Sequence, residues 1–126
     1  METTRPKYTV ALDEARSEFH SSIGGFWSTD SIQEYFDAVN EATMPLLKAR
    51  SPIYALVDFS DFVPQDRATG DAIRDHLHMS KKYGLKRLAI LGASPLTTMQ
   101  YKRLSDGINV EFFDSKIDAI TWLRER

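Results

Sequence analysis

The chain has 126 residues, no cysteine and 42% hydrophobic residues, a composition typical of a globular domain and not of a disordered or disulfide-linked chain. Sixteen basic and eighteen acidic residues give a net charge of −2, whereas a dedicated nucleic-acid binder is normally basic. No apolar run is long enough to span a membrane and the polar start lacks a signal-peptide core, so we expect one cytoplasmic domain over residues 1–126 that does not bind nucleic acid.

The chain opens with a predicted β-hairpin. Residues 8–12 and 18–23 read as short strands, and the polar segment 13–16 between them reads as a turn. Two such strands joined by a short turn pair in antiparallel fashion. The first strand is expected at an edge of the sheet, where it offers unpaired backbone groups to a second copy. A homodimer is therefore one expectation.

A long helix follows the hairpin. Ser28 and its neighbours offer N-cap side chains, and an apolar stripe from Ile32 to Leu47 has helical spacing. Pro45 lies inside this stripe. Because proline lacks the backbone N–H and clashes with the preceding turn, we expect it to kink the helix or end its regular part.

Two buried strands alternate with the next two helices. Residues 53–57 form an apolar run of the kind found in strands that are covered on both faces. A helix is predicted over residues 68–83, with Gly84 after it in the left-handed conformation. Residues 87–91 form the next strand, and Ser94 followed by Pro95 is a typical helix start.

The remaining elements complete an alternating pattern. Gly107 is expected to end the third helix, residues 110–113 form a short strand, and Ser115 opens a last helix with three inward-facing side chains, Ile117, Ile120 and Leu123. The order is β-β-α-β-α-β-α-β-α. Strands that alternate with helices indicate an α/β fold with a mixed, mostly parallel sheet, whose first strand is the antiparallel edge.

A polar loop follows the first buried strand, at the sheet edge where ligands of α/β proteins gather. Its acidic residues, together with those early in the next helix, are Asp58, Asp61, Asp66, Asp71 and Asp75. Clustered carboxylates can hold Mg²⁺ or receive a phosphoryl group. They can also simply complement the positive end of the helix. We favour this last interpretation and expect no metal site and no cofactor.

Aromatic residues are concentrated near the same edge. Phe26 and Trp27 precede the first helix, and Phe59 and Phe62 lie in the polar loop. They either line an apolar cavity that binds a ligand or cover the end of the sheet. The sequence leaves both interpretations open.

Three segments resemble the SpoIIAA-like, or STAS/SEC14-type, family of small bacterial domains. They are residues 25–28, residues 56–62, and the ending that runs from Val110-Glu111-Phe112-Phe113-Asp114 to Ala119-Ile120-Thr121-Trp122-Leu123. The ending is the most specific of them. The resemblance implies a βα superhelix with a small mixed sheet.

The resemblance also implies a candidate switch. Anti-sigma-factor antagonists of this type are phosphorylated on a serine at the start of a helix, and the similar stretch here is residues 66–70, with Thr69 before the glycine. Thr69 is alternatively a plain N-cap residue. The expected switch or partner-binding residues are Asp58, Ser60, Asp66, Thr69 and Gly70.

Two functions follow as hypotheses. The first is a non-enzymatic regulatory or interaction domain that binds a protein partner through residues 60–70 and the next helix; it predicts a solid core. The alternative is a carrier or sensor of a small apolar or lipid-like ligand, as SEC14-type proteins are. It predicts a cavity reached past Phe26, Trp27, Phe59 and Phe62.

Overall fold

The computed structural model describes residues 5–126. Its elements alternate in the predicted order. The strands are β1 (Lys7–Asp13), β2 (Glu18–Gly24), β3 (Ile53–Asp58), β4 (Leu85–Leu91) and β5 (Val110–Phe113). The helices are α1 (Thr29–Ala49), α2 (Arg67–Lys82), α3 (Pro95–Leu104) and α4 (Lys116–Leu123), and a 3₁₀ turn at Glu14–Arg16 joins β1 to β2.

The strands form one sheet in the order β1-β2-β3-β4-β5. β1 is antiparallel to β2 and the other neighbours are parallel, which confirms the predicted mixed sheet with an antiparallel N-terminal edge. Each right-handed β-α-β crossover advances one strand in the same direction, so α1, α2 and α3 share one face of the sheet. The helix α4, which follows the last strand, packs on the opposite face against β3, β4 and β5.

The two faces of the sheet have separate hydrophobic cores. The larger core lies beneath α1, α2 and α3 and contains most of the buried aromatic side chains. The smaller core joins Leu56 and Ala89 of the sheet to Ala119 and Leu123 of α4. Because Leu56 and Ala89 are paired across adjacent strands, this second core is a compact contact between one short helix and the centre of the sheet.

Pro45 does not end α1, which continues to Ala49. The side chains of Pro45 and Glu41 are both exposed. The carbonyl that loses its partner at Pro45 therefore lies on the solvent side of the helix, where water can bond to it. Leu46, which is 2% exposed, holds the last turn against the core.

The predicted inward face of α4 is wrong at Ile117, which is 77% exposed. The side chains that face inward are Ala119 and Leu123, spaced four residues apart. Ile117 is two residues from Ala119 and thus points to the other side of the helix.

Gly107 does not end α3, contrary to the sequence prediction, because the helix ends at Leu104 and Ser105 caps it.

The fully buried carboxylate of Glu18 ties the C-terminus to the start of β2. Arg124 donates to it through Nε at 2.8 Å and through a terminal nitrogen at 3.0 Å, and Arg126 donates at 2.7 Å. His20 lies 3.1 Å away through Nε2. The bonds from Arg124 are the main reason why the pKa of Glu18 falls to about 2, against the effect of burial, and His20 lowers it further.

We expect Glu18 to stabilise the fold in a pH-dependent way. Its pKa is lower in the folded protein than in the unfolded chain, so its contribution is complete above about pH 4.5 and is lost as the pH falls toward 2. The pKa difference corresponds to about 3 kcal/mol. Urea unfolding of the wild type and of Glu18→Gln at pH 7 and pH 3 measures it.

The difference in stability between wild type and Glu18→Gln should shrink markedly at pH 3. Glu14→Gln, a change at an exposed glutamate in the adjacent 3₁₀ turn, serves as the control and should leave stability within about 0.5 kcal/mol. Equal losses at both pH values for Glu18→Gln would contradict the assigned charge interaction.

Candidate functional site: a cavity between the helices and the sheet

The loop after β3 uses Asp58 for its own structure. The Oδ1 atom of Asp58 accepts bonds from the backbone N–H of Ser60 at 2.8 Å and from its hydroxyl at 2.6 Å. The Ser60 side chain also lies close to Gly92, where an added Cβ would come within 2.6 Å of it. Asp58 and Ser60 thus form a compact turn at the carboxyl end of the sheet.

The predicted switch residues lie at the start of α2. Asp66 is the N-cap and accepts a bond from the backbone N–H of Thr69 at 2.9 Å. The Thr69 side chain is fully buried, and its hydroxyl donates to the carbonyl of Trp27 at 3.1 Å. Gly70 is also buried. In this conformation the Thr69 hydroxyl links the start of α2 to the segment before α1 and is not accessible to a kinase.

A buried residue that the sequence analysis did not single out organises this end of the sheet. The side chain of Gln65 accepts a bond from the backbone N–H of Trp27 at 2.8 Å and donates to the carbonyls of Gly25 at 3.0 Å and Val63 at 2.6 Å. Gln100 of α3 in turn bonds both the N–H and the carbonyl of Gln65. No sequence motif marks these two glutamines, because all their backbone partners except Val63 are 35 or more residues away along the chain.

The four aromatic residues predicted near this edge separate into two groups. Phe59 and Phe62 are buried and pack against each other at 4.7 Å between ring centroids. Trp27 is buried too, but its indole N–H donates to the carbonyl of Gly24 at 2.9 Å and it lies outside the cavity described next. Phe26 is 45% exposed. Only Phe59 and Phe62 therefore face the same internal space.

That space is a cavity of about 580 Å³ between the sheet and the helices α1 and α2. Its floor is formed by inward-facing side chains of β2, β3 and β4, among them Phe19, Ala55 and Leu88, and Phe59 and Phe62 close its inner end. The volume lies within the range of small-molecule sites. It is about four times the volume of an apolar cavity that holds benzene.

The cavity opens between the C-terminal halves of α1 and α2. The exposed members of its lining are Asn40, Met44 and Lys48 on α1 and Met79 and Tyr83 on or beside α2; we call these five residues the mouth. Ile53 and Leu85, at the starts of β3 and β4, also line the cavity. The mouth is therefore at the amino ends of the strands, whereas the sequence predicted access past Phe26 and Trp27 at the carboxyl ends.

His76 bridges α1 and α2 close to the mouth. Its ring stacks parallel on Phe36 with 4.1 Å between centroids, and its Nε2 lies 3.4 Å from the side-chain oxygen of Asn40. Burial lowers the pKa of His76 to about 4. The histidine is thus neutral at pH 7 and adds an aromatic wall to the cavity.

The described part of the chain holds no cluster of three or more metal-ligating side chains. Within residues 5–126, no helix combines the length and the apolar character that crossing a membrane requires.

The mixed five-stranded sheet with three helices on one face and one on the other is a SpoIIAA-like fold. Among solved structures, the chain is similar to an uncharacterized protein of the DUF3478 family with a SpoIIAA-like fold from Shewanella loihica PV-4, with a TM-score of 0.66, 21% sequence identity and 98% of each chain covered. This confirms the fold class that the resemblance predicted. No family model matches the sequence, and no curated protein matches it.

The cavity should make one face of the sheet tolerant of added volume. Ala55 lines the cavity, whereas Ala89 on the next strand faces the filled core beneath α4 and is 0% exposed. Ala89→Leu should cost about 1–3 kcal/mol, because extra methyl groups strain a packed core. Ala55→Leu should cost less than about 1 kcal/mol, since its side chain extends into open space. Urea unfolding of the two variants compares identical changes, and equal costs would argue against the cavity.

His76 should make the fold less stable in mild acid. The pKa of His76 is about 4 in the folded protein and 6.5 ordinarily, so the unfolded chain binds a proton on this residue more readily. The folded state therefore has its full stability above pH 6.5 and loses stability as the pH falls toward 4. At pH 5 the loss should be about 2 kcal/mol. His76→Gln should reduce the pH dependence of unfolding between pH 8 and 5, whereas His78→Gln at an exposed position of the same helix should leave it unchanged.

Proposed function

We propose that this protein binds a small apolar molecule in the cavity between α1, α2 and the sheet, and acts as its carrier or sensor. One observation carries the proposal: the space of about 580 Å³ is enclosed mainly by aliphatic and aromatic side chains and reaches solvent through the mouth. Protein interiors are normally packed without voids larger than a water molecule. An apolar molecule in this space would supply contacts that the lining side chains otherwise lack.

The cavity favours this function over the interaction-domain hypothesis. That hypothesis predicted a solid core and a switch at Thr69, whose hydroxyl is buried against the Trp27 carbonyl. Binding of a protein partner through residues 60–70 stays a prediction, and no contact in the structure adds support to it. The mouth, by contrast, exposes apolar atoms of Met44 and Met79, which are 40% and 54% exposed.

Methionine side chains suit an entrance because they are flexible and adapt to ligands of different shape. On this proposal, Met44 and Met79 move aside as a ligand enters between the helices. The ligand then contacts the sheet floor and reaches Phe59 and Phe62 at the inner end.

A neutral dye tests the proposal. N-phenyl-1-naphthylamine fluoresces strongly in apolar surroundings, and we expect saturable binding with one site per chain. Ala55→Phe adds a ring to the cavity floor and should weaken binding at least tenfold, because the dye and the ring compete for the same volume. Fluorescence titration of the dye into each folded variant gives the affinities.

Ala11→Phe is the matched control, since it adds the same ring at an exposed position of β1, remote from the cavity lining. It should bind the dye as the wild type does. Absence of saturable binding to the wild type, or wild-type affinity in Ala55→Phe, would contradict the proposed site.

A further inference from the structure

The polar groups around the cavity are mostly already paired. The hydroxyls of Thr43 and Ser80 donate to carbonyls of their own helices, each at 2.8 Å. The hydroxyl of Tyr35 bonds to that of Ser21 at 2.8 Å. Because Ser21 already donates to the carbonyl of Thr9 at 2.7 Å, the hydrogen in the Tyr35–Ser21 bond comes from Tyr35.

Tyr101 is the exception on the inner wall. It is the residue through which α3 reaches the cavity, and it is 7% exposed, with its ring edge-on to Phe59 at 4.9 Å. Its hydroxyl makes no hydrogen bond to any part of the chain between residues 5 and 126.

The position of this hydroxyl follows from burial. Every completely buried side-chain nitrogen or oxygen in the described region has a hydrogen-bond partner. The Tyr101 oxygen has no partner, so it is not completely buried and borders open space. Since Tyr101 is almost wholly buried, the open space beside it is the cavity that it lines. A phenol hydroxyl that faces an apolar cavity without a partner favours a ligand that supplies one.

We infer that the ligand of the proposed apolar site carries a neutral oxygen, of the carbonyl or hydroxyl class, that accepts a hydrogen bond from Tyr101 at the inner wall. The inference rests on the proposed function and specifies which molecules the cavity selects. An apolar body fills the space between the sheet and the helices, and the oxygen is oriented toward α3.

Charge argues for a neutral oxygen. Apart from His76, Lys48 is the acidic or basic residue among those that line the cavity, and it is exposed at the mouth. A carboxylate beside Tyr101 would be buried without a cation, which is strongly unfavourable. The same desolvation raises the pKa of Tyr101, and it raises that of Tyr35 to about 12. The inner wall therefore disfavours ions.

Two probes of equal shape test the inference. In 2-acetylnaphthalene a carbonyl oxygen occupies the place that a methylene group has in 2-isopropenylnaphthalene. Both are titrated against the bound N-phenyl-1-naphthylamine to obtain their affinities. The ketone loses more hydration than the alkene when it enters an apolar site, so the ratio of the two affinities in the wild type is the reference against which a variant without the Tyr101 hydroxyl is compared.

Tyr101→Phe keeps the ring and removes the hydroxyl, and it should lower the affinity for the ketone relative to the alkene at least fivefold, because the carbonyl then loses its hydrogen-bond donor. The hydroxyl has no partner in the fold, so this variant should unfold at the same urea concentration as the wild type or higher. Tyr83→Phe makes the same change at the mouth and should leave the ratio of the two affinities as it is in the wild type.

The outcomes separate the two proposals. Dye binding with a ketone-to-alkene affinity ratio that Tyr101→Phe leaves unchanged would overturn the inference and leave the apolar site standing. Bound dye that neither probe displaces would do the same. A wild type that binds neither dye nor probes would overturn the proposed function and the inference with it.

Discussion

The buried side-chain amide of Gln65 is the contact on which the arrangement of the cavity depends. It bonds backbone groups on both sides of the loop before α1 and within its own loop, at Gly25, Trp27 and Val63. Gln100 fixes the backbone of Gln65 from α3. A buried polar network with every member paired is rigid, because the loss of one bond leaves its partner unsatisfied in a medium of low dielectric constant. Phe59 and Phe62 are thereby held across the inner end of the cavity.

The two ends of the cavity consequently differ in character. The inner end is closed by aromatic rings on a loop that Gln65 ties in place and that Thr97 secures through the carbonyl of Phe62 at 3.2 Å. The opposite end is bordered by long, flexible side chains, including Met44, Met79 and Lys48. On the function proposed above, a ligand would enter between these flexible side chains without disturbing the sheet. The cavity size is set by short side chains such as Thr43 and Ala55, where longer ones would fill the space.

An open cavity forfeits contacts that a filled core would make, so other parts of the molecule carry more of the stability. The face beneath α4 is filled, with Ala89, Ala119 and Leu123 completely buried. The ion pairs of Glu18 with Arg124 and Arg126 hold the C-terminal residues against β2. An apolar ligand that binds only the folded state would add stability in proportion to the logarithm of its concentration above Kd.

The features that follow local rules could be predicted from the sequence, and those set by distant pairs could not. Alternation of apolar strands with capped helices is local, and the predicted caps Ser28 and Ser94 do start helices. The N-cap of α2, however, is Asp66 and not Thr69. Where a cavity forms depends on which short side chains of α1 face those of α2, more than thirty residues away along the chain, and no local pattern records it. Two backbone partners of Gln65, those at Gly25 and Trp27, are likewise distant along the chain. The prediction for Ile117 is wrong because an apolar residue on a short helix can lie on either side.

Thr69 shows why the fold alone does not determine the function. The phosphorylation switch that the resemblance implied at Thr69 requires a hydroxyl that faces solvent. Here the same atom donates to the Trp27 carbonyl and stabilises the junction between α1 and α2. A phosphoryl group on that oxygen would break the bond and require two charges to be buried. Tyr101, by contrast, lines the cavity, is 7% exposed and has a hydroxyl that bonds to no group of the described residues. On the function proposed above, the groups that a ligand would use therefore lie in the space beneath the helices and not at the edge of the sheet.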